Sequence, residues 1–132
     1  RIENVLMDHF VVNQAFVHGD ALQSSLVAII VPDDTLFPVF LQSKGVLSSR
    51  TAQTTSVEDL CRNPRAREVV LAELTLWAKA HDLRGFEIPK HILLLATPFD
   101  RLDLLTPTMK LKRRAAQTHF AAILAQLYND AH

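Results

Sequence analysis

The segment Leu104 to Arg114, LLTPTMKLKRR, carries the densest chemistry in the sequence: a Thr-Pro-Thr turn followed by four cations within five positions. Pro107 restricts Thr106 to an extended backbone. Lys110 is therefore expected on a loop just ahead of the last helix, with Lys112, Arg113 and Arg114 at that helix's start. Cations at a helix N-terminus oppose its dipole, at a cost of about a few tenths of a kcal/mol each. On composition alone such a patch reads either as a solvated basic turn or as a site for an anionic partner, and one use of the latter is a stand-alone interaction module that docks through residues 110–114. Nucleic acid is disfavoured as that partner, because no aromatic side chains interleave with the cations to stack on bases.

The remaining reactive residue types are sparse. Three glycines are present and none falls in a GxGxxG or GxxxxGK pattern, so no complete phosphate-cradling loop is expected. The histidines at 9, 18, 81, 91, 119 and 132 are scattered, none paired with a carboxylate at a metal-ligand spacing, and no metal site is expected. Cys61 is the single cysteine, which excludes an internal disulfide and suits an intracellular, reducing compartment. Its place on the apolar side of a short helix reads as a packing thiol. His18 and Asp20 flank Gly19 as turn residues, with Gly19 free to take positive φ, and Trp77 reads as a core anchor.

The elements that must position Lys110 follow from length and pattern. The 132 residues, 48% of them hydrophobic, make one domain with enough apolar surface for its own core. Fourteen Lys and Arg balance fourteen Asp and Glu, which removes any general pull toward nucleic acid or anionic lipid. The longest apolar runs, Leu26 to Val31 and Ile92 to Ala96, are strand length and fall short of a membrane span of roughly 20 residues. The chain opens on Arg rather than Met, with no signal-peptide pattern, and reads as a piece of a longer protein.

A short helix is expected over Ile2 to Phe10. Asn13–Val17 and Leu26–Val31 are expected as antiparallel strands, followed by a short helix through Leu41. Gly45 to Thr55 is Ser- and Thr-rich without a period and reads as a surface loop. Ser56 and Asp59 form a capping-box pattern, and Asn63-Pro64 starts a longer helix carrying Val69, Val70, Leu74 and Trp77, with Gly85 just beyond its end. His91–Ala96 is a third strand, 98–107 is irregular, and Ala116, Phe120, Ile123, Leu124 and Leu127 stripe one final helix. The sum is an α+β fold: a small, mostly antiparallel three-stranded sheet packed with helices.

Four blocks in this order resemble the C-terminal domain of long-chain fatty-acid:CoA ligases, in the adenylate-forming (AMP-binding) enzyme family. They are RIENVLM, QAFVHGDALQSSLVAIIVPD, SVEDLCRN and LLTPTMKLKRR. The resemblance spans nearly the whole chain, and its second and fourth blocks are the most specific. The family's last motif has a Lys, an apolar residue, a variable residue and Arg, which Lys110-Leu111-Lys112-Arg113 fits. GFEIPKHI is similar to the family's lead into its third strand, with Pro89 and Lys90 in place. Leu102-Asp103 stands where long-chain members often have Asn-Gly.

This resemblance implies a lid domain, residues 1–132, of a two-step ligase whose large N-terminal ATP- and fatty-acid-binding domain is absent from the chain and is its partner. A fatty carboxylate would attack the α-phosphate of ATP to give acyl-AMP, and the thiol of coenzyme A would then displace AMP. Lys110 matches the catalytic lysine. Lys90, Lys112 and Arg113 are candidate contacts to coenzyme A or phosphate. ATP, Mg2+ and coenzyme A would be bound mainly by or with the large domain, and the fragment alone would be inactive. A carrier protein's phosphopantetheine is the alternative acyl acceptor. By the same resemblance the full protein would be intracellular and could attach to endoplasmic reticulum, peroxisome or lipid droplet.

Overall fold

The computed structural model describes residues 1–131. In chain order the elements are α1 (Ile2–Met7), β1 (Val12–Gly19), β2 (Leu26–Pro32), α2 (Leu36–Ser43), α3 (Ser49–Thr54), α4 (Val57–Arg62), α5 (Pro64–Ala80), β3 (His91–Leu94), α6 (Arg113–His119) and α7 (Ala121–Ala131). Single 3-10 turns cover Gly85–Glu87 and Phe99–Leu102. The fold is α+β, as the pattern predicts.

The sheet order is β1-β2-β3. β1 and β2 pair antiparallel with Phe16 opposite Ile29 and a register shift between Val12 and Gln14. β3 instead runs parallel to β2, Val27 opposite His91 through Ile30 opposite Leu94, so the sheet is mixed. A parallel neighbour needs a long crossover, and residues 33–90 with α2 to α5 supply it.

Helices cover both faces of the sheet, which explains why the central strand LVAIIVP is a continuous apolar run rather than an alternating one. Ala28 and Ile30 pack with Ala15, Ile92 and Leu94 under α1, α2, α4 and α5. Val27, Ile29 and Val31 face the other way, toward Phe16, Phe99, Leu104 and the α6–α7 residues Ala116, Phe120, Leu124 and Leu127. The second layer is the one that carries the basic segment.

Local signals hold where a side chain sets the backbone. Ser56 Oγ accepts the Asp59 N–H at 3.1 Å, and Asn63 Oδ1 accepts the N–H groups of Arg65 and Ala66 at 2.8 and 3.2 Å ahead of Pro64. Others differ. The segment 45–55 contains α3, capped by Ser48 Oγ on the Thr51 N–H at 3.1 Å. Asp82, with φ 68°, ends α5 in the left-handed conformation, and Gly85 instead opens a 3-10 turn. Gly19 is the last residue of β1 and does not have positive φ; the link to β2 runs over 20–25 and is held by the Leu22 N–H donating to Asp20 Oδ1 at 2.9 Å. The final helix is broken at Phe120, whose buried ring lies 6.3 Å from Phe16 and 6.0 Å from Phe99.

Candidate functional site

Lys110 sits on a cross-braced hairpin rather than a loose loop. Leu105 and Leu111 form an antiparallel bridge, and the Lys112 N–H donates to the Leu104 carbonyl at 2.7 Å. At the tip, the Met109 N–H donates to the Thr106 carbonyl at 2.8 Å and the Thr106 N–H to the Lys110 carbonyl at 2.7 Å. Thr106 Oγ1 also accepts the Lys110 N–H at 3.1 Å. Pro107 occupies the turn position its fixed φ favours, and Met109 at φ 66° completes the turn in the left-handed region, a strain of roughly 1–2 kcal/mol for a residue with a Cβ. The Thr-Pro-Thr string thus shapes the turn that presents the lysine.

The four cations divide by what they touch. Lys112 Nζ lies 3.1 Å from Asp103 Oδ1. Arg113 forks onto Glu3, with Nη2 2.6 Å from Oε1 and Nη1 3.1 Å from Oε2; the hydrogen bonds it donates to Glu3 hold the Arg113 guanidinium even more firmly protonated than usual. Lys110 and Arg114 are exposed and make no ion pair among the described residues. The basic string is therefore not a free cationic patch, and a docking module relying on all of residues 110–114 loses two of its charges to intradomain carboxylates. Asp103 takes the left-handed conformation, φ 57°, the role glycine plays at such corners, so the Leu102-Asp103 departure leaves the turn intact.

A groove of about 520 Å³ runs beside this hairpin, lined by Met7, Gln14, Phe99, Met109, Lys110 and Arg113 among others. Of the four residues singled out in the sequence, it brings together Lys110 and Arg113. Lys112 lies outside it on Asp103, and Lys90 is exposed at the entry to β3, its N–H bonded to the Leu26 carbonyl at 2.9 Å. The floor is held by Gln14, whose Oε1 accepts the Phe99 N–H at 2.7 Å.

No protein-family model matches the chain. Among curated proteins, the peroxisomal long chain acyl-CoA synthetase 7 of Arabidopsis thaliana is 39% identical over 131 residues, 98% of this chain and 18% of the relative. Human long-chain-fatty-acid–CoA ligase 1 is 37% identical over 131 residues, again covering 98% of this chain. The chain belongs to the long-chain acyl-CoA synthetases of the adenylate-forming family. It spans 18% of the length of these relatives. Solved structures agree: the adenylation domain of a carboxylate reductase from Mycobacterium chelonae superposes with a TM-score of 0.73 at 26% identity, covering 97% of this chain and 17% of that one. The A domain of a carboxylic acid reductase from Segniliparus rugosus shares the fold, with a TM-score of 0.75 at 18% identity over 99% of this chain and 18% of that one. The present chain corresponds to a C-terminal domain of an adenylate-forming ligase.

Among the described residues no three His, Cys, Asp or Glu side chains are placed to hold a metal ion. His132 lies outside the described residues. No described helix is long and apolar enough to cross a membrane. Cys61 is buried, which pushes its thiol up to about 11 and leaves it a packing group rather than a nucleophile. Trp77 is half-buried; its Nε1 donates to the Val5 carbonyl at 2.8 Å, satisfying one of the carbonyls left open at the end of α1. Tyr128 hydroxyl accepts the Asp20 N–H at 3.0 Å and donates to the His18 carbonyl at 3.2 Å, so His18 and Asp20 serve the turn.

Two features were invisible as sequence pattern. Glu3 is one acid in a short first helix, and nothing near it signals a partner 110 positions away. His9 is buried, accepts the Val11 N–H on Nδ1 at 3.1 Å and donates from Nε2 to Glu73 at 2.9 Å. That hydrogen bond, followed in importance by opposing desolvation and the nearby Lys44, holds the Glu73 carboxyl below the ordinary glutamate range. A carboxyl depressed on folding contributes stability that is full above its unfolded pKa of about 4.3 and is lost as pH falls through the folded value. Glu73→Gln is therefore expected to lower the urea midpoint at neutral pH, with the gap to the parent closing between about pH 5 and pH 2. A gap unchanged at the acid end would refute this role for the pair.

Proposed function

We propose that this chain is the mobile C-terminal domain of a long-chain fatty-acid:CoA ligase and lends Lys110 to the adenylation of a fatty acid. The observation that carries the reading is the state of that side chain: an exposed ammonium without an ionic partner among the described residues, held out on a hydrogen-bonded turn. In the first step a carboxylate oxygen attacks the α-phosphorus of ATP, the acyl-phosphate bond forms and pyrophosphate leaves. Two anions must meet, and a fixed ammonium near the carboxylate and α-phosphate oxygens offsets the charge where it accumulates. In the second step the sulfur of coenzyme A attacks the acyl carbon and AMP leaves. Lys110 would be withdrawn for that step by rotation of this domain against its large partner domain, which would hold ATP, the acyl chain and most of the coenzyme.

Fatty-acid-dependent pyrophosphate release by the full-length protein, followed by acyl-CoA formation on adding coenzyme A, is the test. No release with any fatty acid from medium to very long chain would reject the ligase reading. Release without acyl-CoA, discharged only by a phosphopantetheinylated carrier protein, would move the acceptor to the carrier. Since two of the Arabidopsis relatives are named as peroxisomal, that organelle is the first compartment in which to look for the protein.

A further inference from the structure

The Arg113 guanidinium does more than neutralise Glu3. Besides the two bonds of the fork, its Nη1 donates to the Val17 carbonyl at 3.3 Å, and its Cζ lies 5.8 Å from the Phe16 ring centre. Glu3 Oε2 in turn accepts the Val17 N–H at 2.7 Å. β1 is an edge strand, and Val17 turns both its N–H and its carbonyl toward these two side chains. Glu3 and Arg113 together therefore stand in for a neighbouring strand, acceptor to donor and donor to acceptor, and close that edge at one residue.

The pair also joins three elements that touch the lysine's surroundings. Glu3 lies in the first turn of α1, Val17 in β1, and Arg113 is the first residue of α6, three positions after Lys110. Between Arg113 and Lys110 the chain is braced by the Lys112–Leu104 and Leu105–Leu111 pairings, so the arm is short and stiff. Glu3, Arg113 and Lys110 line the same groove. We infer that the Glu3–Arg113 clamp is a positioning device that sets where Lys110 stands relative to α1 during adenylation. This rests on the proposed adenylation role of Lys110. Arg113 acts through Lys110 and not on the substrate, and its planar fork is what a lysine could not supply.

The test uses the full-length protein and measures two half-reactions: fatty-acid-dependent pyrophosphate release, and acyl-CoA formation from supplied acyl-adenylate. A misplacement of about an ångström costs up to a hundredfold, so Arg113→Met is expected to slow pyrophosphate release roughly ten- to hundredfold while the second half-reaction stays within about twofold. Glu3→Gln keeps an acceptor for the Val17 N–H but drops the charge, and Arg113→Lys keeps the charge but drops the fork; both fold-preserving variants should slow the first half-reaction only. The double variant Glu3→Gln/Arg113→Met should be no slower than Arg113→Met alone, as expected of residues acting as a unit. Equal losses in both half-reactions, multiplicative losses in the double variant, or full rate with Arg113→Lys would each overturn the clamp. Lys110→Ala in parallel separates the two ideas: if it leaves pyrophosphate release intact, the adenylation reading and the clamp fall together, whereas loss with Lys110→Ala but none with Arg113→Met removes the clamp alone.

Discussion

Lys110→Ala is expected to slow fatty-acid-dependent pyrophosphate release by the full-length protein about a hundred- to thousandfold, the usual cost of deleting one preorganised electrostatic contact, about 3 to 4 kcal/mol. The same variant should fold normally. The side chain is exposed and has no ionic partner among the described residues, and substitutions at such positions change stability by no more than about 0.5 kcal/mol. The turn's own bonds use the backbone N–H and carbonyl of residue 110, which alanine keeps. Thioester formation from supplied acyl-adenylate should be nearly unchanged, because no like-charge encounter has to be offset there. A variant with undiminished pyrophosphate release would remove Lys110 from the chemistry. Because the hairpin is braced at its base and tip, the Lys110 backbone is fixed to the rest of the domain, as the proposed withdrawal before the thioester step would require.

The second large effect is one of stability. Phe120 is buried against Phe16 and Phe99, and it holds the break between α6 and α7 against the sheet face that carries Val27, Ile29 and Val31. Truncating a buried phenylalanine typically costs about 3–5 kcal/mol, part lost transfer and part cavity. Against a total of about 5–15 kcal/mol for a domain of ordinary size, Phe120→Ala is expected to take away roughly a fifth or more of the stability. Urea unfolding of the 132-residue chain at neutral pH reads this directly as a fall in midpoint at unchanged slope. A loss below about 1 kcal/mol would mean that the second core collapses around the vacancy and does not depend on this ring.

What was legible in the sequence was whatever a short stretch settles by itself. Asn63-Pro64 announces a helix start because both the capping oxygen and the missing N–H act within one turn. The run Leu26 to Val31 announces a buried strand because helices cover it on both sides. Thr106-Pro107-Thr108 announces a turn that displays Lys110. The direction of β3 was not legible, since four residues with alternating burial fit either orientation and only the crossover through 33–90 decides it. Nor was α3, whose six residues bury nothing and are held by the Ser48 cap. The partition of the cations was also hidden: Lys110, Lys112 and Arg113 are near neighbours in sequence, yet one is free among the described residues while the others meet Asp103 and Glu3. Those pairings depend on how distant segments meet in space.

The parallel placement of β3 beside β2 has a consequence for how this molecule acquires its shape. The β1–β2 hairpin joins residues close along the chain and can zip within microseconds, whereas β3 cannot dock until the intervening helices have brought its ends together. Until then the middle strand offers an unprotected apolar edge to any other chain nearby. Aggregation during synthesis should therefore be most acute in the interval after residue 32 has emerged and before residue 94 has, and a chaperone that shields the nascent hairpin would act in that interval.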